Sequence, residues 1–180
     1  RISPYKGIEL LLKAMLKVHE LYPHINLIVA GSGKFDFDIG KYAALNYVEI
    51  RNRFIPTEEL AELIDASKFV VCPYTDATQS GVIMSCYAFN KPVIASDVGG
   101  LSEMVKHRET GLLVTPSDVN KLTQAIIELL SNDNLLNEFS RNIKSQYENG
   151  LDSWSVISSE IISAYKKMAN KCLNTNFNSI

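Results

Sequence analysis

The sequence predicts an α/β fold, a parallel sheet with helices on both faces. Three observations lead there. Short, β-branched apolar runs recur along the chain and end in glycine or proline. Between them lie segments whose apolar residues repeat at three- and four-residue intervals. The 180 residues, 46% hydrophobic and 21% charged, are enough for one soluble core at roughly 150 residues per domain. Apolar runs this short and continuous suit strands covered on both faces, which helical crossovers between parallel strands provide.

Taken in order, Ile8, Leu11, Leu12, Met15 and Leu16 form one stripe, so residues 6 to about 21 read as an amphipathic helix stopped by Pro23. Residues 25–30 are a buried strand that turns at Gly31-Ser32-Gly33, and residues 47–50 are a second strand. Thr57-Glu58-Glu59 after Pro56 opens a helix to about Ala66, with carboxylates placed for its dipole. Residues 69–72 are a buried strand closed by Pro73, and a polar stretch then leads to a helix over 82–89. Residues 92–95 and 111–114 are the last strands; Ser117-Asp118 caps a helix through Leu122, Ile126 and Leu129. The remainder reads as helical, with a stripe at Trp154, Ile157, Ile161, Tyr165 and Met168, and residues 173–180 as a frayed tail. Ligands of such sheets bind at the carboxyl ends of the strands, so the loops at 31–33, 51–55, 74–81 and 96–100 carry the functional information.

Eighteen basic against 20 acidic residues give a net charge of −2, which argues against a nucleic-acid partner. No apolar run approaches the ~20 residues of a membrane span, and no signal peptide opens the chain. Cys72, Cys86 and Cys172 are odd in number and widely spaced, as expected of free thiols in a reducing compartment. A bacterial, cytoplasmic domain fits all of this. The first residues, Arg1-Ile2-Ser3-Pro4, include no Met and no leading strand, so a fragment is expected.

Five groups of residues suggest chemistry. Arg1 and Lys6 flank a turn into a helix, where fixed cations and unpaired N–H groups suit a diphosphate. Gly31-Ser32-Gly33 invites a dinucleotide reading, with Glu49 as the ribose acid, but position 36 is Asp where a third glycine is needed. Asp36 and Asp38 form a D-x-D without the further acids that a metal clamp requires. Thr78, Gln79, Ser80 and Gly81 lie between a strand and a helix, with Ser80 as N-cap and the first N–H groups facing phosphate or ribose oxygens. Gly99-Gly100 is a second loop of that type, whereas His19, His24 and His107 have no ligand spacing.

Together these pieces resemble the C-terminal half of a group 1, or family 4, glycosyltransferase. The resemblance rests on Arg1-x4-Lys6-Gly7, the run from Leu27 through Gly33, Lys91-Pro92-Val93-Ile94-Ala95-Ser96, Asp97-Val98-Gly99-Gly100-Leu101-x-Glu103 and Gly111-Leu112-Leu113-Val114. It implies a GT-B enzyme of two Rossmann-like domains, with residues 1–150 holding the nucleotide-sugar donor and a helix over 151–172 packing back toward the N-terminal domain. That acceptor domain and the first strand of the sheet would precede Arg1. The implied reaction is retaining, needs no metal or cofactor, and serves polysaccharide biosynthesis with a glycan or lipid-linked acceptor. The implied location is cytoplasmic, peripheral to the inner face of the membrane. Arg1 and Lys6 would hold the diphosphate of a UDP- or GDP-type donor. Arg53, Phe54 and Ile55 would cradle the base, and Gly31, Gly33 and the 78–81 loop would contact the donor.

One departure stands out. The family's two glutamates, eight positions apart, fall at Ala77 and Ser85 here, leaving Ser85 to give or take a single ribose hydrogen bond. Two alternatives therefore stand beside the transferase: a degenerate, partner-binding subunit, and an NAD-type Rossmann module.

Overall fold

The structure, a computed structural model, describes residues 1–148, 158–159 and 161–163. The chain divides into two compact units, Arg1–Ile143 and Lys144–Ile180. In the first unit five strands, β1 (Leu27–Ala30), β2 (Val48–Arg51), β3 (Val70–Cys72), β4 (Val93–Ser96) and β5 (Gly111–Val114), alternate with helices. These are α1 (Ile8–Leu21), α2 (Gly40–Ala43), α3 (Thr57–Ala66), α4 (Gly81–Ala88), α5 (Leu101–Met104), α6 (Val119–Ser131) and the first part of α7 (Asp133–Glu148), which runs on past Ile143. Every strand pairing is parallel, as the apolar runs require. In the second unit, residues 158–159 and 161–163 are helical and exposed. The limit at 150, Trp154, Ile157, Tyr165, Met168 and the tail lie outside the described residues.

The core forms where the 3.6-residue stripe of α1 meets that of α6. Leu11, Leu12, Met15 and Val18 pack with Leu122, Ala125, Ile126 and Leu129 over Ile94, Leu112 and Val114 of the sheet. Each buried Leu or Ile there contributes roughly 1.5–3 kcal/mol of burial free energy. Asp118 caps α6 as expected, its carboxylate accepting from the Lys121 N–H at 2.9 Å. Ile83, Cys86 and Tyr87 of α4 are buried too, and the Tyr87 hydroxyl is anchored on Met104 O and the Thr110 hydroxyl.

The structure bears on three expectations. First, the parallel sheet is interrupted, as a first strand placed ahead of Arg1 by the resemblance implies: β1 pairs only with β2, and β3–β4–β5 form a separate ladder. Residues 2–6 tie the two together at their carboxyl ends, with Ile2 N–H donating to Ser32 O at 2.8 Å and Thr75 N–H to Tyr5 O at 2.8 Å. Only Ile2 makes a bridge, to Gly33, so no ladder forms there. Secondly, β1 is not a fully buried strand. Val29 points inward, while Ile28 is 43% exposed because the period-two alternation turns it to an uncovered face. Thirdly, the first helix does not start at Lys6. A 3-10 turn over Pro4–Lys6 ends at Gly7, whose φ of 63° breaks the helical path before α1.

Cys72 and Cys86 are buried free thiols, and burial pushes the Cys72 thiol up to about 11. Both should resist alkylation. In a Cys172→Ser variant at pH 8, iodoacetamide should label the native chain about a hundredfold more slowly than the urea-unfolded chain, read by mass spectrometry. Equal rates would contradict the burial.

Candidate functional site

The carboxyl ends of the strands gather the loops that carry the candidate residues. At one end, Arg1 is exposed and lies against Gly31, where a side chain would come within 3.5 Å of the Arg1 backbone nitrogen. Gly31 N–H donates to Arg51 O at 3.1 Å. Lys6 sits with its ammonium 3.7 Å from the centroid of the Tyr74 ring and 4.9 Å from that of Tyr5. Aromatic faces attract a cation without neutralising it. Among the described residues neither Arg1 nor Lys6 has a carboxylate partner, so both keep their charge for an anion.

Tyr74 links Lys6 to the loop before α4. Its hydroxyl lies 3.3 Å from Ser80 Oγ, and burial raises its pKa, so the phenol stays neutral. Ser80 is the N-terminal boundary residue of α4, as expected, but its side chain does not cap. The hydroxyl turns to Tyr74 instead, and no side chain satisfies the first N–H groups of α4. Gly81 has open space where a Cβ would sit, and the side chains of Thr78 and Gln79 are exposed. Behind them, Gly100 N–H donates to Ala77 O at 3.1 Å, and a side chain at Gly100 would collide with the Thr78 carbonyl. Small residues are required there for close backbone approach.

The other end is a charge network. Arg53 forms a two-pronged pair with Glu59, Nη1 to Oε2 and Nη2 to Oε1, each at 2.7 Å. Arg51 reaches the same carboxylate through Nη1 at 2.9 Å and grips Glu49 through Nε at 2.6 Å. The Arg53 guanidinium first, and then that of Arg51, hold the Glu59 carboxyl below its ordinary value. Glu59 was expected to serve the α3 dipole; its side chain serves the two arginines. Glu49, the ribose acid of the dinucleotide alternative, is occupied by Arg51. Between the arginines, the Asn52 amide accepts from Gly33 N–H and donates to Gly33 O, both at 3.1 Å. Phe54 projects from this frame at 76% exposure, with Ile55 half-buried beside it.

The Ser85 hydroxyl donates to Gly81 O at 2.9 Å, one turn back in α4, which leaves its oxygen to accept rather than give a ribose hydrogen bond. Asp38 accepts from Gly40 N–H at 2.9 Å at the start of α2, and no group of three acidic, His or Cys side chains could hold a metal among the described residues. A cleft of about 350 Å³ also opens at the start of α1, lined by Ser3, Lys13, Lys34, Asp36, Thr75 and Ser117 among others. It includes neither Arg1, Lys6 nor the 78–81 loop. The loops have the better claim, because among the described residues Arg1 and Lys6 lack carboxylate partners and the start of α4 lacks a side-chain cap.

The family model described as Glycosyl transferases group 1 matches residues 1–132. The chain belongs to this family. It is 28% identical over 173 residues to an uncharacterised glycosyltransferase of Methanocaldococcus jannaschii, covering 92% of this chain and 43% of that protein. It is 33% identical over 138 residues to a GDP-mannose-dependent phosphatidylinositol monomannoside mannosyltransferase of Corynebacterium glutamicum, covering 72% and 36%. The fold matches that of Anabaena HepE, crystallised with UDP, at a TM-score of 0.71 and 21% identity, covering 97% of this chain and 47% of the other. The chain thus spans less than half the length of each of these proteins, and its fold is the Rossmann-like half of a GT-B fold.

Three residues of the candidate site were not singled out by the sequence reading. Tyr74 opens the 74–81 loop, but nothing around it in the sequence marks it as the ring on which Lys6 rests. Asn52 and Glu59 gave no signal, since an Asn in a turn and a Glu in a first helical turn are ordinary.

Proposed function

We propose that the chain supplies the donor site of a retaining, metal-independent glycosyltransferase that uses a UDP- or GDP-type sugar. The observation that carries this reading is Lys6: a cation without an ion-pair partner among the described residues, held on Tyr74 beside a start of α4 that no side chain caps there. Negative charge grows on the diphosphate as the sugar departs, and cations fixed in advance favour that state over the bound donor. Arg1 and Lys6 are placed for this role. Thr78, Gln79 and the α4 N–H groups face the phosphate and sugar, and Phe54 offers a stacking face for the base. The GDP-mannose of the mannosyltransferase relative and the UDP of HepE support a nucleotide-diphosphate donor.

The acceptor, a glycan or a lipid-linked saccharide, would be met by a preceding domain. A first strand from that side would fill the interruption between β1 and β3; the split sheet and the partial coverage of relatives support this. No described helix is long and apolar enough to cross a membrane, and the proposed place of work is the inner membrane face, peripherally.

Ala77 and the self-satisfied Ser85 favour one competing reading, a binding subunit without transfer activity. Calorimetric titration tests the donor site itself. One of UDP or GDP should bind saturably and NAD should not; silence toward both nucleotides would refute it. Release of nucleotide from a nucleotide sugar by the longer protein would exclude the inactive subunit.

A further inference from the structure

We propose that Asn52 and Glu59 are positioning residues that hold the base end of the donor site in register with its cation end. This rests on the donor reading above. The path is continuous. Ile2, next to Arg1, donates its N–H to Ser32 O and bridges to Gly33. Both backbone polar groups of Gly33 are taken by the single Asn52 amide. Arg53, the next residue, is locked by the Glu59 carboxylate, which also takes Arg51 at the end of β2. Phe54 follows directly and projects into solvent.

Beyond the Gly31 N–H to Arg51 O bond at the strand ends, these contacts tie the two neighbouring loops together, and α3 anchors the second through Glu59. A nucleoside diphosphate touches both ends and gains from a fixed spacing between them, whereas inorganic pyrophosphate touches only the cations. Loss of the frame should therefore act on one ligand and spare the other.

The test is titration of UDP, GDP and inorganic pyrophosphate into the wild-type chain and into Asn52→Ala, Asn52→Asp and Glu59→Gln variants. Asn52→Ala and Glu59→Gln should weaken the bound nucleotide about five- to tenfold and leave pyrophosphate within about twofold. Asn52→Asp keeps the acceptor for Gly33 N–H but loses the donor, and should fall between Asn52→Ala and wild type. Equal weakening of nucleotide and pyrophosphate would mean a general structural defect and overturn the proposal. So would unchanged nucleotide affinity in folded variants. Absence of nucleotide binding by the wild-type chain would instead refute the donor reading, and this inference with it.

Discussion

Lys6→Ala should weaken binding of the preferred nucleoside diphosphate by about 10- to 100-fold, the range for loss of a hydrogen bond to a charged group. Few substitutions in this chain should change binding more. Among the described residues the ammonium has no carboxylate partner, and it is not fully solvated: it rests 3.7 Å from the Tyr74 centroid and has Tyr5 as a second wall. This arrangement limits its freedom before a ligand arrives, so little ordering remains to be done on binding. Stability should fall by only about 0.5–1 kcal/mol, the value of an exposed cation–π contact. Arg1→Ala should act in the same direction and, having no such platform, less strongly. Calorimetry for affinity and thermal unfolding for stability separate the two effects. A Lys6→Ala chain with wild-type affinity would remove Lys6 from the site.

The largest expected effect on stability belongs to Gly7→Ala. Gly7 adopts φ of 63°, and a Cβ there would run into the carbonyl oxygen of Pro73 at the end of β3. Alanine must either strain this conformation or push the 2–6 segment away from β3. We expect a loss of about 3 kcal/mol, seen as a fall in Tm of roughly 6–12 °C. Gly81→Ala is the internal control, because its Cβ meets open space at the start of α4 and should leave Tm unchanged or slightly higher. Because Gly7 follows Lys6 directly, any Gly7→Ala chain that remains folded should also bind nucleotide more weakly. Equal Tm values for Gly7→Ala and wild type would contradict the close approach of the two backbones.

Much of this architecture was legible in the sequence because apolar periodicity reports which faces are buried. The α1 and α6 stripes and the strand runs follow from it, and Asp118 follows from capping chemistry. Periodicity cannot report the order of strands in space; the interruption between the two ladders was legible only through the resemblance, which puts a first strand ahead of Arg1. The exposure of Ile28 depends on which face of β1 is covered, and a continuous apolar run does not say. The cation end of the site was visible in Arg1 and Lys6, since charge beside a helix start is a local pattern. The base end was visible only as a loop. Its rigidity depends on contacts that no local pattern announces, Gly33 with Asn52 nineteen residues on and Arg53 with Glu59 six residues on, each residue read locally as ordinary. Ser80 and Ser85 show the same limit: their hydroxyls choose among nearby partners, and sequence does not say which.

The most direct test of the central claim is amide chemical-shift mapping of this chain with whichever of UDP or GDP binds. Perturbations are expected to cluster on four segments, 1–7, 31–33, 51–55 and 78–81, which together outline one extended site at the carboxyl ends of β1, β2 and β3. Perturbations confined to the cleft around Lys13, Lys34, Asp36 and Ser117, or none at saturating nucleotide, would contradict it.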